Sequence, residues 1–318
     1  MADTNDAAAG IRIKGILKNQ NTILLFLILF IVLIVSLTAP RFFSVSNMIN
    51  LFQTISLTGI MAIGMSLVII TGNIDLSVAY LFSFTACLSA FLLKNGILND
   101  ITVLPFGLLL GMACGIFNGI LVCKVRSESF IITLGTMCIF QGLGLFTAQG
   151  NIITIGSMFS WFGIIRIGRI PIQTIIFIVI ALVTTLLMRY TKFGRRVYAV
   201  GGNSEAAFLA GININRYKFM VYTINGFLCG ISAMLVLSRL ASANYNMSLG
   251  YEMETITACV VGGIALSGGR GNVLGCFLGI LLMGLIANSL NMLMVPIFYH
   301  KIITGVVLLV AVTIRSRK

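Results

Sequence analysis

Ten long apolar stretches, each of at least 15 residues, occupy most of this chain and are separated by short polar connections. Only 9% of the residues are charged, whereas soluble domains carry about 25%, so the chain lacks the polar residues needed to cover a soluble globule. A helix of about 20 apolar residues satisfies its own backbone across a bilayer. The runs do not alternate as barrel strands do. We therefore predict an all-α integral membrane protein that forms a single polytopic bundle.

The apolar runs predict ten transmembrane helices. They cover residues 23–37, 48–71, 75–93, 101–123, 128–148, 171–188, 218–239, 253–268, 272–292 and 298–314. With residue 1 on the cytoplasmic side, 15 of the 21 lysines and arginines fall on inner connections and 6 on outer ones, which favours an N-in, C-in orientation. The predicted parts are a cytoplasmic segment 1–21 and a transmembrane domain 22–318, with a long outer loop 149–170 and a cytoplasmic loop 189–217.

The net charge of +13 follows from this topology and does not require nucleic acid as a partner. The seven cysteines lie in or beside apolar runs, no two of them have the spacing of zinc ligands, and His300 is the only histidine. We interpret the cysteines as packing residues. We expect this chain to bind no metal and no cofactor.

Neither common source of transport energy is evident in the sequence. No G-x-x-x-x-G-K-[ST] motif is present, and the run from Leu266 to Arg270, although it resembles an ATP-binding-cassette signature, is interpreted as a glycine-rich turn between spans. Most of the eight acidic residues lie outside the spans. Asp75 is the embedded exception. Either Asn73 or Asp75 caps the helix that follows, or Asp75 binds a coupling ion. These features favour a partner that supplies the energy.

The cytoplasmic loop contains the signals of a short helix. Asn203 suits the N-cap, Glu205 the first turn and Gly211 the position after the C-cap. A helix this short is unstable alone in water, and Phe208 and Leu209 would face the cytoplasm. Docking on a partner subunit would stabilise it. Packing beneath its own bundle is the alternative.

Glycines recur every fourth residue in two of the spans, from Gly107 to Gly119 and from Gly275 to Gly279. Small residues on one face allow close helix packing in lipid, and this is the favoured interpretation. A substrate groove along the same faces is the alternative.

Four segments resemble the permeases of ATP-binding-cassette (ABC) sugar importers, specifically the ribose-transport permease family within the branched-chain amino acid and sugar permease superfamily. They are Gly72–Val78, Ser129–Thr136, Gly201–Ile212 and Gly250–Gly271. They occur in order, and the resemblance covers nearly the whole chain. Asn73 and Ala79 depart from the pattern, because relatives often carry glycine there, and this weakens an assignment to ribose itself.

The resemblance implies a transport subunit without its own ATPase site, in the bacterial cytoplasmic (inner) membrane. It also implies a second permease subunit in a homo- or heterodimer, an ABC ATPase that binds ATP and Mg, and a periplasmic or lipid-anchored sugar-binding protein. The coupling residues implied are Gly201, Gly202, Asn203, Glu205, Ala206, Ala207, Phe208, Leu209 and Gly211. Asp75, Ser77 and Glu252 are assigned to the substrate path.

Three alternatives remain at this point. The chain could be a gradient-driven secondary sugar carrier, a channel-like or purely structural subunit, or an ABC permease for another small polar solute such as a nucleoside, an autoinducer or a polyol.

Overall fold

The computed structural model describes residues 20–125 and 127–316. Within this part of the chain the helices are α1 (Gln20–Thr38), α2 (Val45–Ile70), α3 (Val78–Lys94), α4 (Val103–Lys124), α5 (Ser129–Ala148), α6 (Ser160–Ile164), α7 (Ile172–Tyr190), α8 (Lys192–Gly202), α9 (Ser204–Leu209), α10 (Ile214–Leu240), α11 (Tyr251–Val261), α12 (Val273–Met292) and α13 (Ile297–Ser316). The predicted segment 1–21 lies outside the described residues except for the first two residues of α1.

Seven of these helices are long and apolar enough to cross a membrane: α1, α2, α4, α5, α7, α10 and α12. Two shorter apolar helices are α3 and the Phe298–Leu309 portion of α13. The all-α membrane prediction is thereby confirmed.

The predicted helical span 253–268 is wrong in its length, because α11 has only 11 residues. Gly262 and Gly263 end it, and Gly263 has a φ of +93° that other residues rarely adopt. At 1.5 Å per residue this helix is about 16 Å long, about half of the hydrocarbon thickness.

Helix α2 lies at the centre of the bundle. Every residue from Ile55 to Ile70 is buried. Helices α7, α10, α11 and α12 contact it. Helix α1 lies at the periphery, where most of its large apolar side chains are exposed.

Four two-residue strands lie in the loops. They are β1 (Ile153–Thr154), β2 (Arg166–Ile167), β3 (Ile170–Pro171) and β4 (Ser242–Ala243). β1 pairs with β4 and β2 with β3, both antiparallel. The first pair ties the predicted outer loop 149–170 to the end of α10.

The two glycine runs are helix-packing surfaces, as predicted. A Cβ added to Gly111 would overlap the backbone of Gly226 and Gly230 in α10. A Cβ on Gly279 would overlap the backbone of Ala258 in α11. Because backbone meets backbone along these faces, no substrate groove fits there.

Replacing Gly111 by leucine tests the α4–α10 contact. We expect the Gly111→Leu protein to be destabilised by about 1–3 kcal/mol or more, since the facing backbone has to move. The measurement is the thermal unfolding temperature in detergent.

Gly135→Leu is the matched control, because Gly135 faces open space on α5 and no atom lies within 4 Å of an added Cβ. An equal loss of stability in both variants would contradict the assignment of Gly111 to a packing contact.

Candidate functional site

The chain between α2 and α3 leaves the helical conformation while it is still inside the bundle. Gly72 has a φ of +76°, and α3 begins only at Val78. Thr71, Asn73, Asp75 and Ser77 are all buried. Buried non-helical backbone requires hydrogen-bond partners from the protein, because water does not reach it. We refer to residues 71–77 as the helix break.

Side chains of two neighbouring helices satisfy the backbone of the helix break. The Ile74 N–H donates to Ser129 Oγ at 3.1 Å, and the Leu76 N–H donates to Thr133 Oγ1 at 3.1 Å. The Ile74 carbonyl accepts from Tyr222 Oη at 3.1 Å. Two of the four segments quoted above, Gly72–Val78 and Ser129–Thr136, are therefore direct partners.

The Asp75 carboxylate lies at the centre of a buried polar network. One of its oxygens accepts from the Ser77 N–H at 3.0 Å and from Ser77 Oγ at 2.6 Å, and the other accepts from Asn225 Nδ2 at 2.9 Å. Asn118 Nδ2 donates to Ser77 Oγ at 2.7 Å. The Asp75 side chain is only 1% exposed. The carboxylate therefore ties the helix break to α4 and α10.

The capping expectation for Asp75 needs correction. The N-cap of α3 is Ser77, and Asp75 accepts the N–H two residues ahead of it, which shapes the turn before the helix. Asn73 donates to the Thr71 carbonyl instead of capping. In this conformation Asp75 and Ser77 are enclosed, and their assignment to the substrate path stays a prediction.

Glu252 lies in a different region, in the first turn of α11. It lines a cavity of about 610 Å³ with Tyr251, His300 and Lys301. One of its carboxylate oxygens is buried and has no hydrogen-bond partner among the described residues. The structure thus does not bring Glu252 together with the helix break, and its role in the path also stays a prediction.

The predicted short helix is present as α9. The Asn203 side chain accepts from the Ala206 N–H at 2.9 Å, and Gly211 has a φ of +76°. Phe208 is 68% and Leu209 85% exposed, which contradicts the alternative that they pack beneath their own bundle. Ala207 is buried, Gly201 is half-buried, and the other predicted coupling residues Gly202, Asn203, Glu205, Ala206 and Gly211 are exposed.

The α8–α9 region rests on a junction of glycines. Gly269 donates its N–H to the Ile70 carbonyl at the end of α2, at 2.9 Å. A Cβ added to Gly268 would overlap the backbone of Gly72 and Gly201. Three of the four quoted segments therefore meet backbone to backbone, and the run from Leu266 to Arg270 is the predicted glycine-rich turn.

Two side chains fix α8 to the rest of this junction. Tyr198 Oη donates to the Gly271 carbonyl at 2.9 Å, and burial raises the pKa of this phenol, so it keeps its proton at neutral pH. Arg196 donates to Tyr217 Oη at 2.7 Å. Helix α8, which leads directly into α9, is therefore attached both to α10 and to the glycine junction.

The sequence interpretation missed the partners of Asp75. Asn118 and Asn225 lie within otherwise apolar helices and are fully buried. A buried amide inside a membrane span is costly, and this was the signal that could have identified both residues. Among the residues that the structure describes, no three His, Cys, Asp or Glu side chains are grouped closely enough to hold a metal.

The Asp75–Asn225 pair can be tested by exchanging its members. Both oxygens of the Asp75 carboxylate accept hydrogen bonds, whereas the amide of an Asp75→Asn variant has only one oxygen. One donor therefore loses its acceptor, which should lower the free energy of unfolding by about 1–3 kcal/mol. The measurement is thermal stability in detergent. The double variant Asp75→Asn with Asn225→Asp should recover part of the loss, because the pair then exists in reverse. Wild-type stability in the single variant would contradict the assigned role.

The chain resembles known permeases over almost its whole length. Residues 47–312 match the family described as branched-chain amino acid transport system / permease component. The ribose import permease protein RbsC of Escherichia coli (strain K12) is 36% identical over 310 residues, which cover 96% of each chain. The protein of the same name from Bacillus subtilis (strain 168) is 38% identical over 299 residues, which cover 92% of each chain.

More distant relatives carry other names. The L-arabinose ABC transporter permease protein AraH of Azospirillum brasilense is 34% identical over 96% of this chain and 91% of the relative. The D-allose transport system permease protein AlsC of E. coli K12 is 31% identical over 91% and 89%, respectively. No solved structure gives a significant match. The match over residues 47–312 and the identity across nearly the full length show that this chain belongs to the branched-chain amino acid transport system / permease component family.

Proposed function

We propose that this chain is the membrane-spanning permease subunit of an ATP-driven importer of a monosaccharide, with D-ribose as the first candidate. The observation that carries the proposal is α9, a short capped helix whose Phe208 and Leu209 project away from the bundle while its base is fixed on the glycine junction. An exposed apolar helix of this kind gains stability when a partner covers it. The names of the relatives, for ribose, L-arabinose and D-allose, support a sugar as the substrate.

The proposed topology has ten crossings with both termini on the cytoplasmic side. Asn21 at the start of α1 lies beside Gly275, at the same end of the bundle as the glycine junction. Ten successive crossings from there place the C-terminal end of α13 at the same end of the bundle. The helix break completes the crossing that contains α3, and the turns after Gly262 complete the one that contains α11. Lys192, Arg195 and Arg196 at this end support a cytoplasmic location.

A permease that does not hydrolyse nucleotide itself needs a partner subunit that does. An ABC ATPase that binds ATP and Mg seats α9, a periplasmic or lipid-anchored sugar-binding protein delivers substrate, and a second permease subunit completes the path. The complex lies in the bacterial cytoplasmic membrane and does not involve nucleic acid.

The proposed mechanism is alternating access driven by a shift of populations. ATP binding favours one arrangement of the ATPase pair and therefore of the two α9 helices. Gly201, near the end of α8, meets the Ile70 carbonyl at the end of α2. Because α9 directly follows α8, a displacement of α9 reaches the helix break and the helices that hold it. No covalent chemistry is assigned to this chain.

The proposal is tested by reconstituting the permease with the ATPase and binding protein of its own operon in proteoliposomes. We expect uptake of D-ribose that requires ATP, stops with vanadate and is insensitive to ionophores that collapse proton and sodium gradients. L-Arabinose and D-allose serve as comparison substrates. Uptake that persists without ATP and responds to ionophores would contradict the proposal in favour of a secondary carrier.

The coupling role of α9 is tested with Phe208→Asp. A charge at a docking hot spot should lower co-purification of the ATPase and substrate-stimulated ATP hydrolysis by about tenfold or more, without loss of membrane insertion. Ile97→Asp makes the same change at a residue 66% exposed at the opposite end of the bundle and should leave both quantities unchanged. Normal ATPase binding by Phe208→Asp would exclude this role.

A further inference from the structure

Helix α2 carries a polar stripe that the function described so far does not use. Asn47, Asn50, Thr54 and Thr58 recur at intervals of three and four residues and therefore lie on one face of the helix. Polar side chains in a membrane helix are costly toward lipid, and they normally face other helices or water-filled space. Helix α12 presents a matching pair, Asn288 and Asn291, in its last turns.

The two stripes face each other across a cavity of about 320 Å³ between α2, α11 and α12. Glu254 of α11 contributes the only ionisable side chain among the described lining residues, and it lines the cavity together with Thr58. A volume near the lower end of the range of about 300–1,000 Å³ typical of ligand pockets suits a small solute.

This cavity lies at the end of the bundle opposite α9. Asn47 belongs to the first turn of α2, Glu254 to the first turn of α11 and Asn291 to the last turn of α12. From Asn47 to Thr58 the stripe descends about 16 Å along the helix, about half of the hydrocarbon thickness. The polar face therefore leads from the far end of the bundle toward its middle.

Some polar side chains that line the cavity are hydrogen-bonded to each other, and others, called open groups below, are not. Asn47 and Asn288 exchange two amide hydrogen bonds, at 3.1 and 2.9 Å. The side chains of Asn50, Thr54 and Asn291 have no partner among the described residues. Amides and hydroxyls both donate and accept, so the open groups match the hydroxyls of a polyol.

We propose that this cavity is a sugar site within the permease, at which Asn50, Thr54, Asn291 and Glu254 hydrogen-bond a neutral monosaccharide after it enters the membrane. The assignment rests on the proposed function. The described lining contains no lysine, arginine or histidine and includes one carboxylate, so it disfavours anionic solutes such as sugar phosphates. A neutral sugar offers no opposite charge to the Glu254 carboxylate, so a few hydrogen bonds hold it, and such binding is weak enough for release along a transport path.

The first measurement is cysteine labelling by a membrane-impermeant methanethiosulfonate reagent. The complex is studied in right-side-out vesicles, in a Cys138→Ser background, because Cys138 is the exposed native cysteine among the described residues. Thr54→Cys should react from the aqueous phase. Phe52→Cys is the matched control, since Phe52 is 40% exposed and lies two residues away on the opposite side of α2, where it faces lipid and should react slowly.

The second measurement is protection by sugar. The D-ribose concentration is set to about three times the dissociation constant of the proposed permease site. Labelling of Thr54→Cys should then slow about fourfold, because only the empty site reacts. Mannitol and glucose 6-phosphate test a neutral and an anionic polyol. Asn50→Leu and Asn291→Leu should weaken the protection and lower ATP-dependent uptake severalfold, whereas Phe52→Leu should change neither.

These outcomes separate the site from the function. ATP-dependent ribose uptake with equal labelling of Thr54→Cys and Phe52→Cys, or with no protection by any sugar, overturns the site and leaves the proposed function. Protection by ribose in a complex whose uptake ignores ATP supports the site and overturns the ATP-driven mechanism. Stronger protection by glucose 6-phosphate than by ribose contradicts the assignment to neutral sugars.

Discussion

The structure depends on satisfying an interrupted backbone inside the packed bundle. The N–H groups of Thr71, Gly72 and Asn73 still donate to carbonyls of α2, but the backbone beyond them has no helical partner and is buried away from water. Each unpaired group would cost several kcal/mol. The chain meets this demand with the hydroxyls of Ser129, Thr133 and Tyr222. Helices α5 and α10 must therefore pack where these hydroxyls reach the break, and this requirement fixes their positions beside α2 and α3.

The same constraint explains why four separate segments of the sequence act as one unit. The helix break contacts α5 through hydroxyl groups, and its first residues contact the α8 end and the turn before α12 through glycines. A side chain larger than hydrogen at Gly201 or Gly268 would separate the backbones that meet there. The exposed helix α9 directly follows α8, whose Gly201 meets the end of α2 at this junction. Under the proposed function, this contact is the route by which a partner bound at Phe208 acts on the helix break.

Much of this arrangement could be predicted from the sequence, and the reasons are local. Apolar length identified the long helices, and the Asn203 and Gly211 caps identified α9 to the residue. Packing of the glycine runs followed from their spacing. The eleven-residue length of α11 was not predicted, because the apolar character continues past Gly262 and Gly263 while the helix does not. The role of Asp75 depended on Asn118 and Asn225, which are 43 and 150 residues away in the chain, and apolar periodicity says nothing about such partners.

Polar residues in these apolar helices fall into two groups that the geometry separates. Around Asp75, Ser77 and Asn225 donate to one carboxylate, and Asn118 donates to Ser77 Oγ, so every donor in this group has an acceptor. Around the α2–α12 cavity, Asn50, Thr54 and Asn291 leave their hydrogen-bonding groups open toward a space of about 320 Å³. A polar group retained in lipid for structure alone is expected to be paired. Open groups that line a cavity at the end opposite α9 are instead suited to a solute that arrives with its own hydroxyls and leaves again. Under the proposed function, the Asp75 network holds the helix break in place and the cavity is where the sugar is received.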